Sequence, residues 1–199
     1  MCSAPGMWSW RACSAALLLL LFPSCGEQTS GGWVKLADGA ASDAQRAQID
    51  RAQRACEVLG KSLLGELTAA ITERGAASAI DVCRMRAPEI AGKIGKEQGV
   101  RIGRTSQRLR NPANTTPAWA APTVAVGEPS AARFVGPDGS VGVLQPIVLM
   151  PLCTQCHGPA DQLAKGVGEV LARLYPGDRA IGFAPGDLRG WFWVEVPHP

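Results

Sequence analysis

Residues 132–150 read "ARFVGPDGSVGVLQPIVLM". Two runs suited to strands flank "GPDGS", where Pro, Asp and Gly cluster, so the segment reads as an antiparallel hairpin. Downstream, "LRGWFWVEV" (188–196) reads as a final strand, apolar and aromatic enough to be buried. Upstream, "VRIGRTS" (100–106) alternates and reads as a further strand. The segment "RLRNPANTTPAWAAP" (108–122) carries Asn-Pro, Thr-Pro and Ala-Pro steps and reads as turn and loop. Before these strands lies a long helical pattern over 43–73. Ser42 is its N-cap, Gln45 completes a capping box, and Gly75 ends it. Ile49, Ala52, Cys56, Leu59, Leu63, Leu67 and Ala70 form its apolar stripe. A second helix covers 77–96, kinked or split at Pro88, and stops near Gly99. A short amphipathic helix follows over 161–174, with Asp161 near its start. The order of helices, strands, helix and strand implies an α+β domain with an antiparallel sheet.

The chain has 199 residues, enough for one domain with its own core. Charged residues make up 19%, and the formal net charge of +3 is too weak and too evenly spread for a nucleic-acid surface. No fixed-period repeat is visible. Arg11 followed by "ACSAALLLLLFPSC" makes residues 1–25 a secretory signal, with an apolar run too short to span a bilayer comfortably. Cys25, between Ser24 and Gly26, suits lipidation at a bacterial lipoprotein cleavage site, although Phe22 and Pro23 depart from the usual aliphatic and small residues. Cys2 and Cys13 belong to the signal. Residues 26–42 read as a linker rich in Gly, Ser and Ala, and 43–199 as the folded domain. The expected setting is the periplasm, with membrane contact through the N-terminal lipid anchor.

The hairpin runs directly into "PLCTQCHG" (151–158). Cys153, Cys156 and His157 form a C-x-x-C-H run, the attachment pattern of c-type haem. Two thiols three residues apart can each form a thioether to one haem vinyl group, and the next imidazole then faces the iron. A structural zinc site would need four Cys or His ligands, and the only other histidine is His198, one residue from the C-terminus. A thioredoxin-like dithiol favours a βαβ setting, whereas Gly158 and Pro159 follow here. A disulfide between Cys153 and Cys156 leaves His157 unexplained. The motif therefore implies haem c, with His157 as one iron ligand.

The second axial position has five candidates: Cys83, Met85, Met150, His198 and Cys56. Met150 is tethered three residues before Cys153, and His198 is terminal. Cys56 falls on the apolar stripe and reads better as a small buried hydrophobe. Cys83 and Met85 lie two apart on one helix and face different ways. From the residues alone Met85 leads, because His/Met ligation is common in cytochromes c. Arg104, Arg108 and Arg110 crowd one stretch and could pair the haem carboxylates, as could Arg189 more weakly. Arg104 and Arg108 are the expected cofactor contacts.

Four features occur in order: "CRMRAP", "GRTS" followed by "LRNP", "CTQCHG" and "GDLRG". In these the chain resembles the bacterial c-type haem proteins of a domain of unknown function with a PAS-like fold. The likeness spans about residues 45–196, with "GFAPGDLRGWF" bulkier than usual. The resemblance implies one covalent haem c held against a PAS-like antiparallel sheet by flanking helices. It also implies a Cys thiolate from the Cys-x-x-x-Ala-Pro stretch as the sixth ligand, which places that role on Cys83.

A haem closed by two protein ligands favours electron transfer or redox work with a periplasmic redox partner. A periplasmic redox or gas sensor is the alternative, and a peroxidase is third. No catalytic triad or phosphate loop is present, so no enzyme activity is expected.

Overall fold

In a computed structural model, residues 32–199 are described. The expected signal segment and Cys25 lie outside the described residues. Strand β1 (Val34–Lys35) is followed by α1 (Asp43–Arg74), α2 (Ala76–Asp81), a π-helical turn (Val82–Arg86) and α3 (Ala87–Gln98). Then come β2 (Arg101–Thr105), α4 (Ala121–Val126), β3 (Ala132–Val135), β4 (Val141–Val148), α5 (Thr154–His157), α6 (Val167–Leu174) and β5 (Leu188–Val196). The five strands form one antiparallel sheet in the order β1-β3-β4-β5-β2.

The hairpin of 132–150 forms as its turn chemistry requires. Gly136 N–H donates to Ser140 O at 2.8 Å, and Gly139 takes φ 78°, where a Cβ is costly. Ser42 caps α1: its Oγ accepts from Gln45 N–H at 3.3 Å, and Gln45 Oε1 accepts from Ser42 N–H at 2.8 Å. The apolar stripe of α1 then buries Ile49, Ala52, Cys56 and Leu59 against Val141, Val143, Val194 and Val196. Strand alternation turns Leu144 and Trp191 to the other face, where Phe134 and Trp119 complete a second core cluster. Gln48, buried in α1, donates to Pro197 O at 3.0 Å and Gly139 O at 3.2 Å, tying the helix to both the hairpin turn and the last strand.

Four boundaries differ from expectation. Within the expected linker, Val34–Lys35 joins the sheet beside β3, and Trp33 stacks on Trp119 at 5.3 Å between centroids. The expected loop of 108–122 ends in a short 3₁₀ turn and α4, which Pro122 can open because its missing N–H is not needed in a first helical turn. The expected helix of 161–174 begins only at Val167, after Gly166 at φ 79°. The second helix does break near Pro88, and the break is a π turn just upstream. There Ala87 N–H bonds Val82 O, five residues back. Pro88 has no N–H for Arg84 O and its ring crowds that carbonyl, which gives the wider turn a local cause. Among the described residues no helix is long and apolar enough to cross a membrane.

Candidate functional site

A cleft of about 290 Å³ opens where α1 runs past the end of the sheet. Its walls come from four places: the second half of α1 (Leu63, Leu67), the π turn (Val82, Cys83), the sheet end (Arg104, Phe192) and the cysteine motif. Arg104 and Phe192 are register partners on β2 and β5, so the cleft continues the same sheet face that packs on α1. Gly190 lies at the edge of the cleft. A Cβ there would sit 2.2 Å from Thr105 O, so only glycine lets β2 and β5 close at this end. A wider, shallower groove near Trp33, Trp119 and Trp193 contains none of the motif residues.

Cys153, Cys156 and His157 all line the cleft. Cys153 closes a 3₁₀ turn, with its N–H on Met150 O at 2.9 Å, and α5 then carries Cys156 and His157. His157 Nδ1 lies 2.7 Å from Ala180 O. A carbonyl only accepts, so Nδ1 holds the proton and Nε2 keeps its lone pair. Burial, then the Arg110 and Arg189 guanidiniums, push the His157 pKa down to about 3, so the ring is neutral at ordinary pH. Burial likewise pushes the Cys156 thiol up to about 11. No disulfide joins Cys56, Cys83, Cys153 and Cys156.

The structure sorts the five sulfur and imidazole candidates. Cys83 lines the cleft from the π turn. Met85, two residues on, is 57% exposed and outside the lining. Met150 is at the rim, 44% exposed and on the motif's own segment. Cys56 is buried in the helix–sheet core with its thiol pushed up to about 12, chiefly by burial. His198 lies by the hairpin turn at Gly139.

The arginines divide differently from the expectation. Arg108 is not a cleft residue. It spends Nε on Arg179 O at 3.0 Å and Nη2 on Ile181 O, and its guanidinium lies 3.9 Å above the Phe183 ring centroid. With its donors committed to backbone and its face on an aromatic ring, it is a structural strut. Arg110 is buried against Asp178, Nε to Oδ2 at 3.0 Å. Arg104 and Arg189 line the cleft, and among the described residues neither pairs with a carboxylate. Arg189 donates Nη1 to Arg108 O at 3.1 Å, while its buried Nε has no hydrogen-bond partner. Burial, then Arg110 and Arg104, push its pKa down to about 10. An apolar cleft that keeps two unneutralised cations and a buried, unused N–H suits a flat apolar molecule bearing two negative charges. Arg189 was a weak candidate from sequence because nothing local distinguishes it from its neighbours.

A family model described as Tll0287-like matches residues 35–197. Among solved structures, the chain is similar to the cyanobacterial heme-protein Tll0287, with 20% identity and a TM-score of 0.59. The match covers 80% of this chain and 98% of that one, and at this identity it shows a shared fold. No curated protein matches.

Proposed function

The chain belongs to the Tll0287-like family, and on that premise we propose that it is a monohaem c-type protein with an electron-transfer role. One observation carries the reading: a single apolar cleft gathers Cys153, Cys156, His157 and Cys83 with Arg104 and Arg189, two cations that make no carboxylate pair among the described residues. The α+β sheet with its packed helices is, on this reading, a PAS-like cradle for one covalent haem c.

Bound there, haem supplies a one-electron iron couple. Cys153 and Cys156 would hold the group covalently, each thiol supplying the sulfur of one thioether. His157 offers Nε2, its tautomer fixed by Ala180 O. Cys83, which lines the same cleft, would offer a thiolate whose negative charge would favour the ferric state more than a Met thioether would. Arg104 and Arg189 neutralise the two haem carboxylates. With His157 and Cys83 both available to hold the iron, the chain itself would occupy the positions a peroxidase keeps open, so electron transfer fits better than peroxidase chemistry. We further propose export, a lipid on Cys25, a periplasmic location and a periplasmic redox partner.

A gas- or redox-sensing role is the second reading. It is favoured by the placement of Cys83 on a π turn, a helical irregularity whose bonding can reset.

Ferric optical and EPR spectra of wild type, Cys83→Ala and Met85→Ala test the ligand set. A thiolate-type low-spin signal lost only in Cys83→Ala is expected, and an unchanged Cys83→Ala spectrum refutes it. A reduced protein indifferent to CO supports electron transfer, and ready CO binding supports sensing. High-spin ferric haem with peroxide turnover sinks both.

A further inference from the structure

We propose that Arg110 and Asp178 are a positioning pair for His157 that sets how readily the site accepts an electron. The inference rests on the haem reading above and concerns residues outside the ligand set.

The geometry closes a ring of contacts around one carbonyl. Arg110 and Asp178 are each 9% exposed at the side chain and paired at 3.0 Å. Arg110 Nη2 donates to Cys156 O at 2.6 Å and to Ala180 O at 3.2 Å. Asp178 Oδ1 accepts from Ala180 N–H at 2.8 Å. Ala180 O accepts from His157 Nδ1–H at 2.7 Å. One buried cation thus grips the motif backbone at Cys156 and shares the carbonyl that orients His157. One buried anion holds the backbone N–H of Ala180, the residue that carries that carbonyl.

Two consequences have the same sign. Metal-bound imidazoles gain electron-donating power from a strong acceptor at the far nitrogen. Ala180 O already serves a guanidinium, so it is a weaker acceptor for Nδ1–H, and His157 donates less charge through Nε2. The Arg110 cation also opposes the extra positive charge of the oxidised site. Both favour the reduced state. Asp178 acts oppositely, as an anion and as the partner that damps the Arg110 field. The step affected is the entry of one electron from an external donor, taking ferric iron to ferrous. No bond is made or broken in that step.

The experiment is a potentiometric titration of the haem-loaded full chain. The variants are Arg110→Gln, Arg110→Lys, Asp178→Asn and the Arg110→Gln/Asp178→Asn double variant. The midpoint should fall in Arg110→Gln and rise in Asp178→Asn. It should shift less in Arg110→Lys than in Arg110→Gln, and return toward wild type in the double variant. A pair that only braces the fold would loosen the site either way and move both single variants in one direction. Shifts of the same sign, or unchanged midpoints, overturn the proposal. If Arg110→Gln does not accumulate, Asp178→Asn decides, a rise supporting the pair and a fall or no change overturning it. Wild type purified from cells with a haem-attachment system but lacking covalent haem sinks the haem reading and the pair with it. Haem-loaded wild type with insensitive midpoints sinks the pair alone.

Discussion

The two walls of the cleft that carry the axial candidates are built on different principles. On the motif wall, His157 is held through Ala180 O, and the backbone is fixed again by Phe183 N–H on His157 O at 2.9 Å and Gly182 N–H on Gly158 O at 2.7 Å. The buried Arg110–Asp178 pair closes the same network. On the helical wall, Cys83 sits in a five-residue π turn between α2 and α3. The difference teaches that this cleft braces one ligand candidate with several hydrogen bonds and carries the other on an irregular helical turn. On the proposed haem reading, such a site would keep its cofactor through the motif wall, while the identity of the second ligand would tune it.

The comparison breaks most severely if the motif wall is removed. In Cys153→Ala/Cys156→Ala, haem retention after denaturation should drop from complete to none, read by gel and pyridine haemochrome spectrum. Covalent retention by that variant would mean the thiols are not the attachment points. The next largest effect is on Arg110→Ala, which leaves Asp178 as an uncompensated buried carboxylate. It should cost about 3–5 kcal/mol in chemical denaturation, because breaking one side of a buried pair exposes the full desolvation penalty. A loss under about 1 kcal/mol, the range of exposed pairs, would show the motif wall to be no more tightly built than the helical wall.

A pH-dependent effect follows from His157 in chain made without haem. Folding lowers the ring's pKa from 6.5 to about 3, so between those values the unfolded chain binds a proton that the folded chain does not. Stability therefore rises with pH across that window and is lost as pH falls below 6.5, with a slope approaching ~1.4 kcal/mol per pH unit from this group. The difference between wild type and His157→Gln isolates the contribution. Parallel profiles for the two chains would show that His157 is not held neutral by the fold.

What could be read from sequence was local. The hairpin of 132–150, the Ser42–Gln45 box and the spacing of Cys153, Cys156 and His157 each carry their signal within a few residues, and strands β2 to β5 and α1 formed where expected. What could not be read depends on partners far along the chain. Val34–Lys35 is a strand only because β3 lies beside it. Arg108, Arg110 and Arg189 look alike in sequence. Their separation into strut, clamp and cleft cation is decided by Arg179, Asp178 and Arg108 O. Pro88 announced a break in the helix, but no sequence signal distinguishes a π turn from a kink.

The smallest expected effect sharpens the comparison on its other side. Met85 led among second-ligand candidates on general grounds, and its place two residues on along the same turn is what separates it from Cys83. With 57% of Met85 exposed and Cys83 facing the cleft, Met85→Ala should change stability by no more than about 0.5 kcal/mol. It should also leave the ferric spectrum of the loaded protein unchanged. Cys83→Ala at comparable fold stability should alter that spectrum outright. A spectral change in Met85→Ala equal to that in Cys83→Ala would mean that the turn presents either sulfur to the cleft. The helical wall would then be a two-state ligand carrier, and the contrast with the fixed His157 wall would be greater than the geometry alone requires.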